Sequence, residues 1–329
     1  YGTYDQRWKA GVAADLIFRK TPRTEAFFEI KHDIEQFGMV GLLEQGEAFT
    51  SALRTDTINL LSEVFRSEAS ITHEFGTGFT AFFEWRHRRV GMRGEWNFLN
   101  PETGLPIERL ITTEATGALR FAKGERFVGG EFVRRSLGTE WPVLDATVTW
   151  AMPNVLGSQY NYTRCTLEAF DEVRLGWWGR MEWLATAGKY FGTAPFPLME
   201  VVPASGTFFM TEEAFNMLRL FERVTDEWVS ANVEWHGEGI LFNHLPLLRR
   251  LELREVIGVK GIAGNWDSRH EALLELPEET TGLNGAYSEC SVGLENIFGV
   301  LRVDGVWRTD LPLADPASRG IRLGFSVGI

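Results

Sequence analysis

Apolar and polar residues alternate along most of this chain with a period of two. In RWKAGVAADLIF, Trp8, Ala10, Val12, Ala14, Leu16 and Phe18 share one side, opposite Arg7, Lys9, Asp15 and the following Arg19. EAFFEIKHDIE sets Ala26, Phe28 and Ile30 against Glu25, Glu29, Lys31 and Asp33, and FTAFFEWRHR sets Phe79, Ala81, Phe83 and Trp85 against Glu84, Arg86 and Arg88. The same reading holds for FRSEASITHEF, VLDATVTW, WVSANVEWHGE and the terminal RGIRLGFSVGI, in which Ile321, Leu323, Phe325, Val327 and Ile329 form one row. Such segments are two-faced β-strands. They fall near 6–19, 24–37, 63–75, 78–91, 110–121, 142–152, 158–176, 180–192, 225–243, 253–267, 286–295, 299–309 and 320–329.

A soluble β-sandwich would alternate in the same way, with the apolar face turned inward. Three features favour the inverse, apolar outside and charged inside. Many of these segments run to ten residues or more, the length of a tilted membrane crossing, whereas soluble strands average about five or six. Aromatic residues often end the apolar row, as Trp8, Trp85, Trp150, Trp235 and Trp307 do, and this suits an interfacial girdle. The connections alternate long and short. The expected fold is therefore all-β, a transmembrane antiparallel up-and-down β-barrel of the outer membrane, with residues 1–329 as one domain. The count of strands is odd where bacterial single-chain barrels are even, so at least one further strand is expected upstream of Tyr1. Closure of the last strand on the first would explain why an apolar strand runs to the final residue without leaving an edge exposed.

With the C-terminus periplasmic, loops near 38–62, 92–109, 153–157, 193–224, 268–285 and 311–319 face outside. The loop 193–224 carries a candidate short helix, TEEAFNMLRLF. The opposite turns are tight, apart from AKGERFVGGEFVRRSLGTEW, which either hides a further hairpin or folds back towards the interior. Phe28, Phe83, Trp85, Val233, Phe325 and Val327 are expected to face lipid. Glu29, Glu84, Arg86, Glu234, Arg302 and Asp304 are expected to line the lumen.

Composition narrows the partners. Against 33 Lys and Arg stand 45 Asp and Glu, a net charge of −12, which argues against nucleic acid as a partner. Cys165 and Cys290 are far apart and form no ligand-like spacing. No run of about 18 apolar residues marks a membrane helix, and no signal peptide is visible. The 24 Phe, 12 Trp and 6 Tyr find a natural place at a membrane interface.

The segments FVGGEFVRRSLGTEWPVLDATVTW, VLGSQYNYTRCTLEAF, GRMEWLATAGKYFGTAPFPLMEVVP, LFNHLPLLRRLELREVIGVKG, GLENIFGVLRVDGVWR and GFSVGI follow one another here. Together they resemble the C-terminal barrel of a Bacteroidota outer-membrane family, the carboxypeptidase-like regulatory-domain proteins of unknown function. The resemblance is strong over about residues 60–329 and weaker over the first 60. It implies an upstream signal peptide and a small β-sandwich in whole members, and no carboxypeptidase residues that transfer to this chain. The closing strands also loosely resemble the superfamily of barrel-assembly and two-partner-secretion proteins. The terminal segment is similar to the signal read by the barrel-assembly machinery, with Arg322, Gly324, Phe325, Val327 and Ile329 in the matching places, although Val327 stands where an aromatic residue is usual.

Candidate chemistry is sparse. The six histidines form no HExxH or HxH, so a catalytic zinc site is not expected. His32 and His73 lie on apolar rows near strand ends, and His236 lies between Glu234 and Glu238 on a polar row. There is no GxSxG and no phosphate-binding loop, so neither an enzyme nor a cofactor is expected. In VGGEFVRRSLG, Gly129 and Gly130 permit unusual backbone angles, and Arg134 and Arg135 could pair with lumen carboxylates. That element is either a charge-paired plug or a gating or partner-contact device. Two functions remain open: a scaffold or accessory subunit of a larger outer-membrane assembly, or a pore or polypeptide-translocation barrel. The expected partners are outer-membrane lipid, the assembly machinery during biogenesis and other outer-membrane proteins.

The terminal signal is separable from strand packing. An aspartate at 329 costs ~0–1 kcal/mol near the interface, where even Arg or Lys at the midplane costs ~2–4. Folding energetics alone then predicts a nearly normal protein for Ile329→Asp, whereas the signal predicts poor insertion. Outer-membrane levels should fall more for Ile329→Asp than for Phe325→Ser in fractionated membranes, and equal, near-normal levels of both would refute the signal.

Overall fold

The computed structural model describes residues 8–36, 61–92, 104–105, 107–130, 134–205, 207–210, 213–244 and 249–325. The strands are, in chain order, β1 (Ala10–Lys20), β2 (Arg23–Gln36), β3 (Leu61–Glu74), β4 (Phe79–Met92), β5 (Arg109–Phe121), β6 (Phe127–Gly129), β7 (Arg134–Ser136), β8 (Val143–Ala151) and β9 (Asn161–Arg174). They continue with β10 (Arg180–Thr193), β11 (Glu200–Val201), β12 (Arg223–Thr225), β13 (Glu227–His236), β14 (Arg254–Asn265), β15 (Thr281–Gly282), β16 (Gly285–Ile297), β17 (Leu301–Arg308) and β18 (Arg319–Phe325). A 13-stranded sheet takes them in the order β1-β2-β3-β4-β5-β8-β9-β10-β13-β14-β16-β17-β18. Each of its ladders is antiparallel, as sequence neighbours joined by hairpins require.

Every strand expected from the period-two pattern has its counterpart in this sheet. The expected strand 225–243 ends early, at His236: Glu238 takes a positive φ of 52°, and two 3₁₀ turns, Phe242–His244 and Arg249–Leu251, follow. Turn geometry also explains one glycine. Gly179 has φ 82°, and a Cβ there would lie 2.0 Å from the carbonyl oxygen of His236, so only glycine closes the β9–β10 turn against β13.

The two faces of the sheet differ sharply. On one face Phe28, Phe83, Val233, Ile321 and Phe325 are exposed, Phe83 by 53% and Phe325 by 60%. On the other face Glu84, Glu234, Arg302 and Asp304 are buried, Asp304 completely. A folded sheet that hides its charges and displays its aromatics inverts the soluble rule.

The main apolar core lies at one end of the sheet, not along it. There Val90, Leu110, Tyr162, Tyr190, Trp228 and Tyr287 from strand ends pack with Phe196, Val202, Phe215, Phe221, Val224 and Leu274 from two long connections. Those connections, 194–226 and 266–284, meet in a small sheet: β11 pairs antiparallel with β12, which pairs parallel with β15. They form a cap over the sheet end.

The candidate helix TEEAFNMLRLF does not form over its described residues, Thr211 and Glu212 lying outside them. Residues 213–221 are irregular, and the reason is a competing acceptor: the backbone N–H groups of Asn216 and Met217 both donate to the Glu289 carboxylate, at 2.8 Å each. A helix would have directed them to its own carbonyls. The long connection 122–141 holds a further hairpin, β6 with β7. The expected pairing of the last strand with the first is not seen among the described residues, where β1 and β18 stand at opposite ends of the strand order. Val327 and Ile329 lie outside the described residues.

Packing of the cap end is tight enough to test. A Cβ on Gly188 would lie 2.2 Å from Cζ2 of Trp228. Gly188→Val therefore expels the indole from the core, and overpacking of this kind costs about 1–3 kcal/mol. A lower temperature for loss of the heat-modifiable gel band is the expected result.

Candidate functional site

The charged face is built from cross-strand pairs. On β2 to β5, Arg66 Nη2 donates to Glu29 at 2.7 Å, Arg86 bridges Glu68 at 3.1 Å and Glu84 at 2.9 Å, and Arg88 reaches Glu114 at 3.1 Å. Tyr162 of β9 donates its hydroxyl to the same Glu114. Alternation places these residues on one face. The register sets Glu68 directly opposite Arg86, whereas Arg66 faces Lys31 and reaches Glu29 along the diagonal, and Arg88 faces Thr112 and reaches Glu114 in the same way.

A second group lies across β13 to β17. Arg302 presents a planar fork that grips two carboxylates: Nη1 and Nη2 donate to Glu234 at 2.5 and 2.9 Å, while Nε and Nη2 donate to Asp304 at 2.8 and 3.0 Å. Glu234 and Arg302 are two strands removed from adjacency, and small residues let them meet. Gly258 is the ladder partner of Glu234, where a Cβ would lie 3.5 Å from Glu234 Oε2, and a Cβ on Gly293 would fall 2.2 Å from Asp304 Oδ1. His236 extends the group, with Nε2 3.1 Å from Glu234 and Nδ1 3.1 Å from Glu295. Glu238, the flanking carboxylate in the sequence, turns instead to Arg180 at 3.7 Å.

The third group anchors the cap. Glu289 of β16 accepts from Asn216 N, Met217 N and the Tyr287 hydroxyl. Lys260 of β14 donates to the Ala214 carbonyl at 3.0 Å. Arg308 of β17 reaches the Glu222 carboxylate at 3.0 Å and the Met217 carbonyl at 3.3 Å, and Arg322 of β18 donates to the Asn216 carbonyl at 2.8 Å. The loop 213–222 is thus stitched to four strands by charge-assisted bonds. At the loop end, Arg308 also holds Asp310 through two bonds of 2.7 and 2.8 Å, and this guanidinium keeps the Asp310 carboxyl below its ordinary value.

The remaining expected residues separate. Glu84, Arg86, Glu234, Arg302 and Asp304 all lie on the charged face, as does Glu29. Gly129 and Gly130 are exposed, and of the two only Gly129 takes a positive φ, 138°. Arg134 pairs with Glu74 at the end of β3 and lies 4.4 Å over the Phe127 ring, while Arg135 is exposed. The hairpin is pinned at its base: Glu125 takes two bonds from Arg120, which overcome the upward pull of burial and hold its carboxyl below the ordinary range. It stands at the rim rather than filling the charged face.

Of the terminal residues, Arg322 serves the cap, Gly324 packs against Arg302, and Phe325 stacks on Phe209 at 5.5 Å. Sequence reading missed Glu289, Lys260 and Arg308. Their signal was present: a single charge on an inward row flanked by small residues, as in GVKGIAG and YSECSVG.

A large antiparallel sheet with buried charges, exposed aromatics and a capped end defines an all-β protein. The chain belongs to a family of unknown function, DUF5686, whose C-terminal domain profile matches residues 1–270. That match includes the first 60 residues and stops short of the terminal strands. A search of curated protein sequences gives no significant match. Among solved structures, the chain is similar to BamA from Haemophilus ducreyi lacking POTRA domains 1–3, with TM-score 0.51 and 10% identity over 95% of this chain and 60% of that one. The chain therefore spans about 60% of the length of that BamA chain. It also matches OccK11 (OpdR) from Pseudomonas aeruginosa, with TM-score 0.30 and 8% identity over 96% of this chain and 91% of that one.

The Arg302 cluster makes a quantitative expectation. Arg302→Met leaves Asp304 buried without its hydrogen-bonding partner and Glu234 with His236 alone, and should destabilise the fold by about 3–5 kcal/mol. Neutralising all three groups, in Glu234→Gln/Arg302→Met/Asp304→Asn, should recover most of that loss. Urea midpoints in lipid vesicles give the comparison.

Proposed function

We propose that this chain forms the wall of an outer-membrane β-barrel with an occupied interior, acting without catalysis as a scaffold or accessory subunit of a larger outer-membrane assembly. The observation that carries the reading is the inversion of the two faces. Exposed rows of Phe, Trp, Leu, Ile and Val over many strands make an apolar surface far larger than the few hundred Å² that soluble monomers display. Lipid is the solvent in which such a surface is stable, and strands of up to 14 residues suffice for a tilted crossing. No helix among the described residues is long and apolar enough to cross a membrane. The likeness to BamA, an outer-membrane barrel protein, supports the fold part of this reading.

The scaffold role rests on what fills the charged face. The face carries many internal ion pairs, and the loop 213–222 is bonded across β14, β16, β17 and β18. An interior so occupied favours a closed wall over an open passage. In the proposed orientation the C-terminus is periplasmic and the cap lies on the extracellular side, available to neighbouring outer-membrane proteins. Lipid and the barrel-assembly machinery are the other partners.

Single cysteines in a Cys165→Ser/Cys290→Ser background test the membrane reading. In outer membranes, Phe83→Cys and Phe325→Cys should resist a water-soluble maleimide, and Thr72→Cys and Asp145→Cys should react; the reverse pattern ends the barrel reading. In planar bilayers the unaltered protein should be silent. A steady open channel would replace the scaffold with the pore.

A further inference from the structure

The outer edge of β18 is not bare. Leu323 faces Val303 of β17 as a ladder partner, and its own N–H and C=O point away from β17. The N–H donates to the Phe208 carbonyl at 3.0 Å, and the C=O accepts from Met210 N–H at 2.6 Å. These two bonds make a parallel bridge between Phe209 and Leu323. The Phe209 ring lies stacked on Phe325, on the apolar face. The segment is also braced from its own loop: the Ser205 hydroxyl donates to the Phe209 carbonyl at 2.8 Å, and Thr207 Oγ1 accepts from Phe209 N–H at 3.1 Å.

We propose that Thr207–Met210 is a latch that occupies the edge of β18 in place of a neighbouring strand and ties that occupancy to the seating of the cap. An edge residue directs one N–H and one C=O outward, and they serve one neighbour at a time. Any strand that continues the wall through Leu323 must displace Phe208 and Met210. The cap end of the linkage is close by. Asn216 and Met217, six and seven residues beyond Met210, are held by Glu289, and the Asn216 carbonyl receives Arg322 from β18 itself. One loop thus grips adjacent residues of β18 in two directions: Arg322 from the charged face and Leu323 from the edge. Unseating the cap frees the edge, and a strand arriving at the edge loosens the cap. The outer edge of β1 forms no ladder among the described residues, so β1 is the strand of this chain that would take the vacated place. Only that last step rests on the barrel reading; the latch contact does not.

Disulfide trapping tests the proposal. In the Cys165→Ser/Cys290→Ser background, Phe209→Cys/Leu323→Cys should cross-link in most molecules when outer membranes are treated with copper phenanthroline. Phe209→Cys/Ile321→Cys, one strand repeat away, should cross-link several-fold less. Adding Glu289→Ala, which touches neither cysteine, should lower the 209–323 yield several-fold while the heat-modifiable band shows the sheet still folded. Should that variant fail to fold, Arg308→Gln gives the same reading from the other anchor. Equal yields for the 209–323 and 209–321 pairs, or a yield that ignores loss of the anchor, would overturn the latch. So would efficient cross-linking of Leu16→Cys or Phe18→Cys to Leu323→Cys with the cap intact, because β1 would then already hold the edge. If the latch pair cross-links while the maleimide pattern is reversed, the barrel reading falls and the latch remains.

Discussion

Everything in this molecule depends on charges being met by their neighbours on a face where many of them are buried. Arg302 shows the constraint most clearly. Its guanidinium meets the Glu234 and Asp304 carboxylates with four bonds, and Glu234 in turn faces His236. Desolvating any one of these groups alone would cost several kcal/mol, of the order of ~3–5 for a broken pair. Sharing each partner between two neighbours removes that cost only if the strands keep their register. A slip of one residue would turn every charge towards the apolar side. The charged face is therefore what fixes the register of the sheet, a task that a packed apolar core performs in soluble folds.

The apolar core is displaced to one end for the same reason. With the outward rows exposed and the inward rows charged, aliphatic and aromatic side chains have only the sheet end and the cap in which to gather. The cap is held there by two kinds of contact at once. Phe196, Phe215 and Leu274 pack among strand-end aromatics, and Glu289, Lys260, Arg308 and Arg322 bind the backbone and carboxylate of residues 213–222. The packing gives this region its cohesion, and the charge-assisted bonds give it a single seat.

The strands and their faces were legible in the sequence because period-two alternation is local and survives whatever the loops do. Phe83 beside Glu84, or Val233 beside Glu234, is enough to assign both faces. Loop 213–222 was misread because its helical pattern is equally local, whereas the acceptor that defeats it, Glu289, lies 73 residues away in sequence. Separations of 46 residues for Lys260 and of 86 and 91 for Arg308 hid these two as cap anchors; each reads as one more inward charge until the loop is seen against it. The hairpin in 122–141 was one of two readings left open, and its placement depends on Arg134 finding Glu74 across 60 residues. The family resemblance located the wall but was silent on what fills it.

The separation between loop and anchors also sets an order in time. Asn216 is synthesised 73 residues before Glu289 and 106 residues before Arg322. Until those partners exist, the cap segment has neither its carboxylate nor its strand edge, and its Phe and Leu residues have little to pack against. Contacts so distant in sequence form late, because the intervening chain must first be ordered. The cap thus reports on the strand made after it: it can be fully seated only on a sheet in which β18 is already in place.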